Sequence, residues 1–155
     1  MSLDMDKRSS IKNLCSWPVS FNLPISGGSV FVGANQKTSV NNAELVALIE
    51  NQNVMFAGTG NGNHAKIYVE NPELRVYVGY DSEDGKSKQF ILTDEECQRI
   101  LDYKTFSVFK KHVESDVVVN HEKAKIIDYA RKIKLNDFEK IDFIEQHCNM
   151  KFKKE

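Results

Sequence analysis

The chain has 155 residues, 41% of them hydrophobic and 28% charged, proportions typical of one ordinary globular domain. Its 21 basic and 22 acidic residues nearly cancel, so the net charge disfavours a nucleic acid or an anionic membrane as partner. The three cysteines are odd in number and far apart, which argues against a disulfide framework and favours a reducing compartment.

The sequence shows neither a membrane span nor an N-terminal signal core. No apolar run approaches the roughly 18 residues of a membrane span, and the N-terminus lacks an apolar signal core. We therefore expect a cytoplasmic protein with no membrane partner. The first residues, Met1–Leu3, have the character of a cloning leader, with Met5 closer to a natural start.

The first half of the chain predicts strands and one helix. Residues 1–14 are polar and are expected to be mobile. Apolar residues alternate over 19–23 and recur at 30–32, which predicts two strands. Asn41, followed three residues later by Glu44, has the spacing of a capping box and begins a predicted helix. A short third strand is predicted at 54–56.

The stretch 65–93 predicts a β-meander on which the rest of the fold is organised. Its first two strands, 65–70 and 74–80, show the alternation of a half-buried hairpin around Asn71-Pro72, and 87–93 is the third strand. This register opposes Val69 to Leu74 and gathers the aliphatic side chains on one face. The other face then carries two cross-strand pairs, Tyr68 with Arg75 and Lys66 with Tyr77.

The second half of the chain predicts helices. Thr93 with Glu96, and Asn136 with Glu139, repeat the capping-box spacing, and Asn120 is a further predicted cap. The first of these helices is expected to break near 104–105. The last helix carries an apolar stripe formed by Phe138, Ile141, Ile144 and Cys148.

The predicted fold is therefore α+β, with a mainly antiparallel sheet followed by helices in the order β-β-α-β-β-β-β-α-α-α. We expect a single domain over 15–150 and a charged tail over 151–155.

The glycine-rich segment 58–64 offers backbone N–H groups of the kind that cradle phosphate. It leads into a predicted strand, however, where a nucleotide loop leads into a helix, and it lacks the Gly-Lys-Ser/Thr ending. A structural loop is the favoured interpretation. His64, beside this loop, is the one histidine placed like a functional residue. The spacing of histidines and cysteines predicts no metal site, and we assign no catalytic residue and no cofactor.

The face formed by Lys66, Tyr68, Arg75 and Tyr77 is the main candidate surface, and three interpretations are open. These residues form solvated cation–π pairs, or they anchor a protein partner, or they bind nucleic acid by stacking on its bases and pairing with its phosphates.

We predict a non-enzymatic interaction or structural subunit of a larger assembly, with a protein partner or self-association favoured. A phage or mobile-element assembly is one setting that the residues leave open. The alternatives are a sequence-tolerant single-strand nucleic-acid binder that uses this face, which the net charge disfavours, and a small enzyme with its site near 58–64.

Overall fold

The computed structural model describes residues 3–151. The start of the predicted leader, Met1 and Ser2, and most of the predicted tail, 152–155, lie outside the described residues. The α+β prediction is confirmed, since antiparallel sheets are followed by helices. The chain forms two compact units, Met1–Ile91 and Leu92–Glu155. A single domain over 15–150 stays a prediction.

The described part of the first unit contains two antiparallel sheets and three short helices. The strands are β1 (Arg8–Asn13), β2 (Val19–Asn22), β3 (Ser29–Val32), β4 (Lys37–Asn41) and β5 (Ile67–Val69), and the helices are α1 (Asn42–Glu50), α2 (Val54–Ala57) and α3 (Pro72–Tyr77). One sheet has the order β4-β1-β5, with β1 in the middle, and the other is the ribbon β2-β3.

Strand β1 corrects the prediction of a mobile segment over 1–14. Its inward side chains are Ser9, Ile11 and Asn13, and all three are buried. Two of the three are polar, so the strand shows no apolar alternation in the sequence. Hydrogen bonds satisfy them inside the protein: Asn71 Nδ2 donates to Ser9 Oγ at 2.9 Å, and the backbone N–H of Cys15 donates to Asn13 Oδ1 at 2.9 Å.

The predicted hairpin is wrong beyond its first strand. β5 forms as expected, but the chain then enters helix α3, in which the side chain of Asn71 accepts from the backbone N–H of Glu73 at 3.0 Å. Pro72 occupies the first turn, where its fixed φ suits a helix and its missing N–H costs nothing. The predicted strand at 54–56 is helix α2, and residues 87–93 form no strand.

The core of the first unit lies under the three-stranded sheet. Ile11, Val40 and Ile67 project from its three strands into a cluster with the apolar side of α1, including Leu45. Phe56 of α2 packs edge-on against Phe21 of the ribbon, with ring centroids 5.2 Å apart. The two sheets and the helices therefore share one core.

The described part of the second unit is helical. Its helices are α4 (Asp94–Leu101), α5 (Phe106–Asp116), α6 (Asn120–Lys132) and α7 (Phe138–Cys148). The predicted break near 104–105 is confirmed, and Thr93 caps α4 as expected, its Oγ1 accepting from Glu96 N at 3.2 Å. Asn120 is the first residue of α6 rather than its cap.

The last helix buries only part of its predicted apolar stripe. Ile144 and Cys148 are buried among the side chains of the second unit, while Ile141 is half-buried. Phe138, predicted on the same stripe, is 83% exposed. Asp137 caps this helix, its Oδ1 accepting from Lys140 N at 3.2 Å, so Phe138 is the first residue of the helix and lies at its exposed end.

Replacing Ile11 in the middle of β1 tests whether this strand is part of the core. Ile11→Ala should lower the free energy of unfolding by about 2–5 kcal/mol, because it leaves a cavity under the sheet. Ser10→Ala, on the outward side of the same strand, should cost about 1 kcal/mol or less. Chemical denaturation of the two variants measures both values. Equal, small losses would mean that 8–13 does not belong to the core.

Candidate functional site

The outward face of the three-stranded sheet carries a concentration of positive charge. Cross-strand register places Lys12 opposite Lys37 on β4 and opposite Tyr68 on β5. Directly opposed residues project to the same side of a sheet, so these three side chains form a row across the strands. We call Arg8, Lys12, Lys37 and Lys66, together with Tyr68 and the Arg75 side chain that packs on its ring, the cationic sheet face.

Glu70 is the acidic side chain at this face, and its neighbours bond to its carboxylate. Ser10 Oγ donates to Glu70 Oε1 at 2.6 Å, and Lys37 Nζ lies 2.9 Å from Glu70 Oε2. The bonds from Ser10 and Lys37, with the charge of Lys12 nearby, hold the pKa of this carboxyl below its usual range. Glu70 therefore remains ionised and offsets only part of the local positive charge.

Arg75 reaches the sheet from helix α3 and fixes the position of Tyr68. Its guanidinium carbon lies 4.8 Å from the centroid of the Tyr68 ring. Nε donates to Asp81 Oδ2 at 2.9 Å and Nη1 to the carbonyl of Val69 at 2.8 Å. The side chains of Arg75 and Asp81 are 13% and 7% exposed. The predicted Tyr68–Arg75 pair exists, but it joins a strand to a helix rather than two strands.

The predicted pairing of Lys66 with Tyr77 does not occur in the structure. Lys66 precedes β5, and its carbonyl accepts from the backbone N–H of Leu14 at 2.8 Å. Tyr77 is 53% exposed and, with Glu73 of the same helix, lines a separate cavity of about 430 Å³. No cation–π contact among the described residues joins the two. Tyr77 is therefore not part of the cationic sheet face.

The glycine-rich loop uses its backbone N–H groups internally. Thr59 N donates to the carbonyl of Asn63, and Gly60 N and Gly62 N both donate to that of Ala57, at 2.9–3.0 Å. A Cβ on Gly58 would lie 2.0 Å from the carbonyl oxygen of Asn63, so the closed loop requires glycine there. These amides face their own loop rather than a phosphate.

His64 is held beside this loop by Phe90. Its backbone N–H donates to the carbonyl of Phe90 at 3.0 Å, and the two rings are tilted with centroids 5.1 Å apart. A cavity of about 340 Å³ next to the loop is lined by residues that include Glu50 and Tyr80. His64 is thus placed against an aromatic ring.

The three cysteines are free and buried. Desolvation raises the pKa of Cys15 and of Cys148 to about 11, and that of Cys97 to about 12. The thiolate is the reactive form, so each thiol is held in its inert state at neutral pH. Within residues 3–151 no cluster of three or more His, Cys, Asp or Glu side chains is arranged to hold a metal ion.

Sequence reasoning missed three residues of the cationic sheet face: Arg8, Lys12 and Lys37. They lie on β1 and β4, neither of which was predicted as a strand. The available signal was the alternation of Arg8, Ser10 and Lys12, which places charged and polar side chains on one side of an extended segment. Because two of the three inward residues of β1 are polar, this alternation does not show the apolar pattern by which a strand is recognised.

No helix within the described part of the chain is both long and apolar enough to span a bilayer. Comparison with protein-family models, with curated proteins and with solved structures finds no match to this chain.

The Arg75–Asp81 pair can be tested by a substitution that keeps its shape. Asp81→Asn should cost about 1.5–3 kcal/mol of unfolding free energy, because a nearly buried guanidinium loses its charge-assisted partner. Glu83→Gln, an exposed carboxylate two residues on, should cost less than about 0.5 kcal/mol. Thermal or chemical melting provides the measurement, and similar values for both would show that the pair does not hold Arg75 in place.

Thiol modification tests the burial of the cysteines. At pH 7 a thiol with a pKa near 11 is ionised in roughly one molecule in ten thousand, so the native protein should be almost unreactive toward a disulfide reagent. Reactivity should rise only as the pH approaches these raised pKa values. The denatured chain supplies the control, since all three thiols should react there within minutes. Rapid modification of a native thiol at pH 7 would contradict the assigned burial.

Proposed function

We propose that this chain is a non-enzymatic interaction subunit that binds an anionic partner through the cationic sheet face. The observation that carries the proposal is charge segregation. Residues 1–91 contain eight Lys or Arg and nine Asp or Glu, yet five of the eight cations lie on this one face. Glu70 and Asp81 pair with two of these cations, so a unit of net charge −1 still presents a locally positive surface, which is what an anionic partner recognises.

The register of β1 and β4 adds a second argument. Lys12 lies directly opposite Lys37, and like charges in this position destabilise a sheet. The contact from Lys37 to Glu70 offsets part of this cost, and Lys12 also lies near Glu70, but Lys12 still faces Lys37 on one side and Tyr68 on the other. A destabilising arrangement on an exposed face is expected where binding, rather than folding, selects the residues.

The partner is proposed to be a macromolecule in a larger assembly, and a cytoplasmic location is part of the proposal. An acidic protein surface, a second copy of the chain or a nucleic acid would each supply the negative charge. Three free thiols support the location, since disulfides are rare in the reducing cytosol. The buried, protonated state of these thiols supports a non-enzymatic role for them.

Binding to dextran sulfate tests this proposal without presupposing the partner, because that polymer has neither bases nor peptide groups. The full chain should bind it with an affinity that falls as salt rises. The double variant Lys12→Gln, Lys37→Gln should bind about tenfold or more weakly at low salt. The matched control, Lys86→Gln, Lys88→Gln, removes two exposed cations from the loop that follows α3 and should change the affinity by less than about twofold.

Fluorescence anisotropy of labelled polymer gives these affinities, with a melting curve to show that each variant is folded. Equal losses in the two double variants would mean that net charge, rather than this face, controls binding. A wild-type chain that does not bind at low salt would overturn the proposal.

A further inference from the structure

We propose that the anionic partner of the cationic sheet face is a single-stranded nucleic acid, whose phosphates contact Arg8, Lys12 and Lys37 and one of whose bases stacks on Tyr68. This inference rests on the proposed function and specifies its ligand. It is argued from the geometry of the row, the fixed position of Tyr68 and the composition of the surrounding surface.

The cationic side chains extend across the sheet and along β1 rather than clustering at one position. Lys37, Lys12 and Tyr68 lie side by side on three adjacent strands, and neighbouring strands are about 4.8 Å apart, so this row spans about 10 Å. Arg8 lies four residues from Lys12 on β1, about 13 Å along the strand. Its Nε donates to Ser39 Oγ at 3.1 Å, which keeps the guanidinium on the outward face. An extended polyanion can therefore contact several cations at once.

Tyr68 supplies a stacking surface among these cationic side chains. Its ring is part-exposed, and Arg75, itself fixed by Asp81, covers one side of it. Unpaired bases stack on aromatic rings that lie among cations, and a neighbouring arginine adds a cation–π contribution. Because the protein's own contacts already fix the ring, little further ordering is needed when a base binds.

The composition of the face favours nucleic acid over an acidic protein. Protein interfaces have an apolar core with aromatic or methionine anchors surrounded by a polar rim. Here the outward positions between the cations are filled by Ser10, Ser39 and the ion-paired Glu70, and no aliphatic side chain lies among the outward residues of β1. Nucleic-acid interfaces are more polar and more positive. A single strand is favoured over a duplex because bases that are paired and stacked within a duplex are not free to stack on the Tyr68 ring.

A pair of oligonucleotides separates stacking from charge. The full chain is titrated with labelled oligothymidylate of about 20 nucleotides, and with an abasic oligomer of the same length that keeps the phosphates and loses the bases. We expect the thymidylate to bind at least about fivefold more tightly than the abasic strand. Tyr68→Leu should abolish this preference while leaving the affinity for dextran sulfate within about twofold. Tyr77→Leu, a matched change at a tyrosine outside the face, should preserve it.

Salt dependence gives a second readout. The slope of log affinity against log salt for the thymidylate should become shallower by about 0.7 for each of Lys12→Gln and Lys37→Gln, as expected when one phosphate contact is lost from a single strand. Lys86→Gln should leave the slope unchanged.

The outcomes distinguish this inference from the proposed function. Equal affinity for thymidylate and abasic strands, or a polyglutamate of similar length binding as tightly as the thymidylate, would overturn the nucleic-acid inference. The proposed function would survive either result if dextran sulfate binding still depended on Lys12 and Lys37. Tighter binding to a duplex of the same length would also reject the single-strand assignment. Failure to bind any of these polymers would overturn both.

Discussion

Hydrogen bonding of the buried polar side chains of β1 is the constraint on which the first unit depends. Asn13 Nδ2 lies 2.8 Å from the carbonyl of Trp17 and 3.1–3.2 Å from those of Val32 and Gly33. These contacts tie the central strand of one sheet to the ribbon β2-β3. At the other end of β1, Ser9 donates to Asn42 of α1 and accepts from Asn71 before α3. A buried amide or hydroxyl is tolerated only when it is bonded, so these contacts fix β1 between two helices and a ribbon. The outward residues of β1 are presented in a defined row because the inward ones are fixed.

The same side chains explain why the sequence conceals this strand. Recognition of a half-buried strand relies on apolar residues at alternate positions, and in β1 only Ile11 meets that expectation.

The sequence also contained the signal for helix α3, but a stronger strand signal competed with it. Asn71, Pro72 and Glu73 form a helix start, with a cap, a proline in the first turn and an acid near the positive end of the helix dipole. The alternation of Leu74, Val76 and Val78 indicated a strand instead. Leu74 and Val78 are four residues apart, a spacing that also suits one face of a helix, and tertiary packing decided between the two.

The features that were predictable are those in which local chemistry alone determines the structure. Helix starts at Asn41 and Thr93 depend on one side chain bonding to an N–H two or three residues away, and both form as predicted. The cationic face is a different case. The pairing of Tyr68 with Arg75 was predicted from a hairpin register that does not form, and the two side chains meet instead through a contact between a strand and a helix. Arg8, Lys12 and Lys37 reach the same face only through long-range strand pairing, and no local pattern specifies which strands become neighbours.

Strand pairing also explains why the net charge of the chain is a poor guide to its partner. A total near zero argues against a polyanion only if the charges are evenly distributed. Here antiparallel pairing gathers cations from three separate stretches of the chain onto one face, whereas Glu70 is ion-paired with Lys37 and Asp81 is bonded to Arg75. Coulomb interactions at the surface decay over about 8–10 Å at physiological salt, a distance similar to the width of the three-stranded face. A ligand on this face therefore experiences mainly its local charges, and the acids elsewhere in the unit are largely screened. The arrangement gives a nearly neutral protein a locally positive surface without the self-repulsion that a high net charge would impose on its fold.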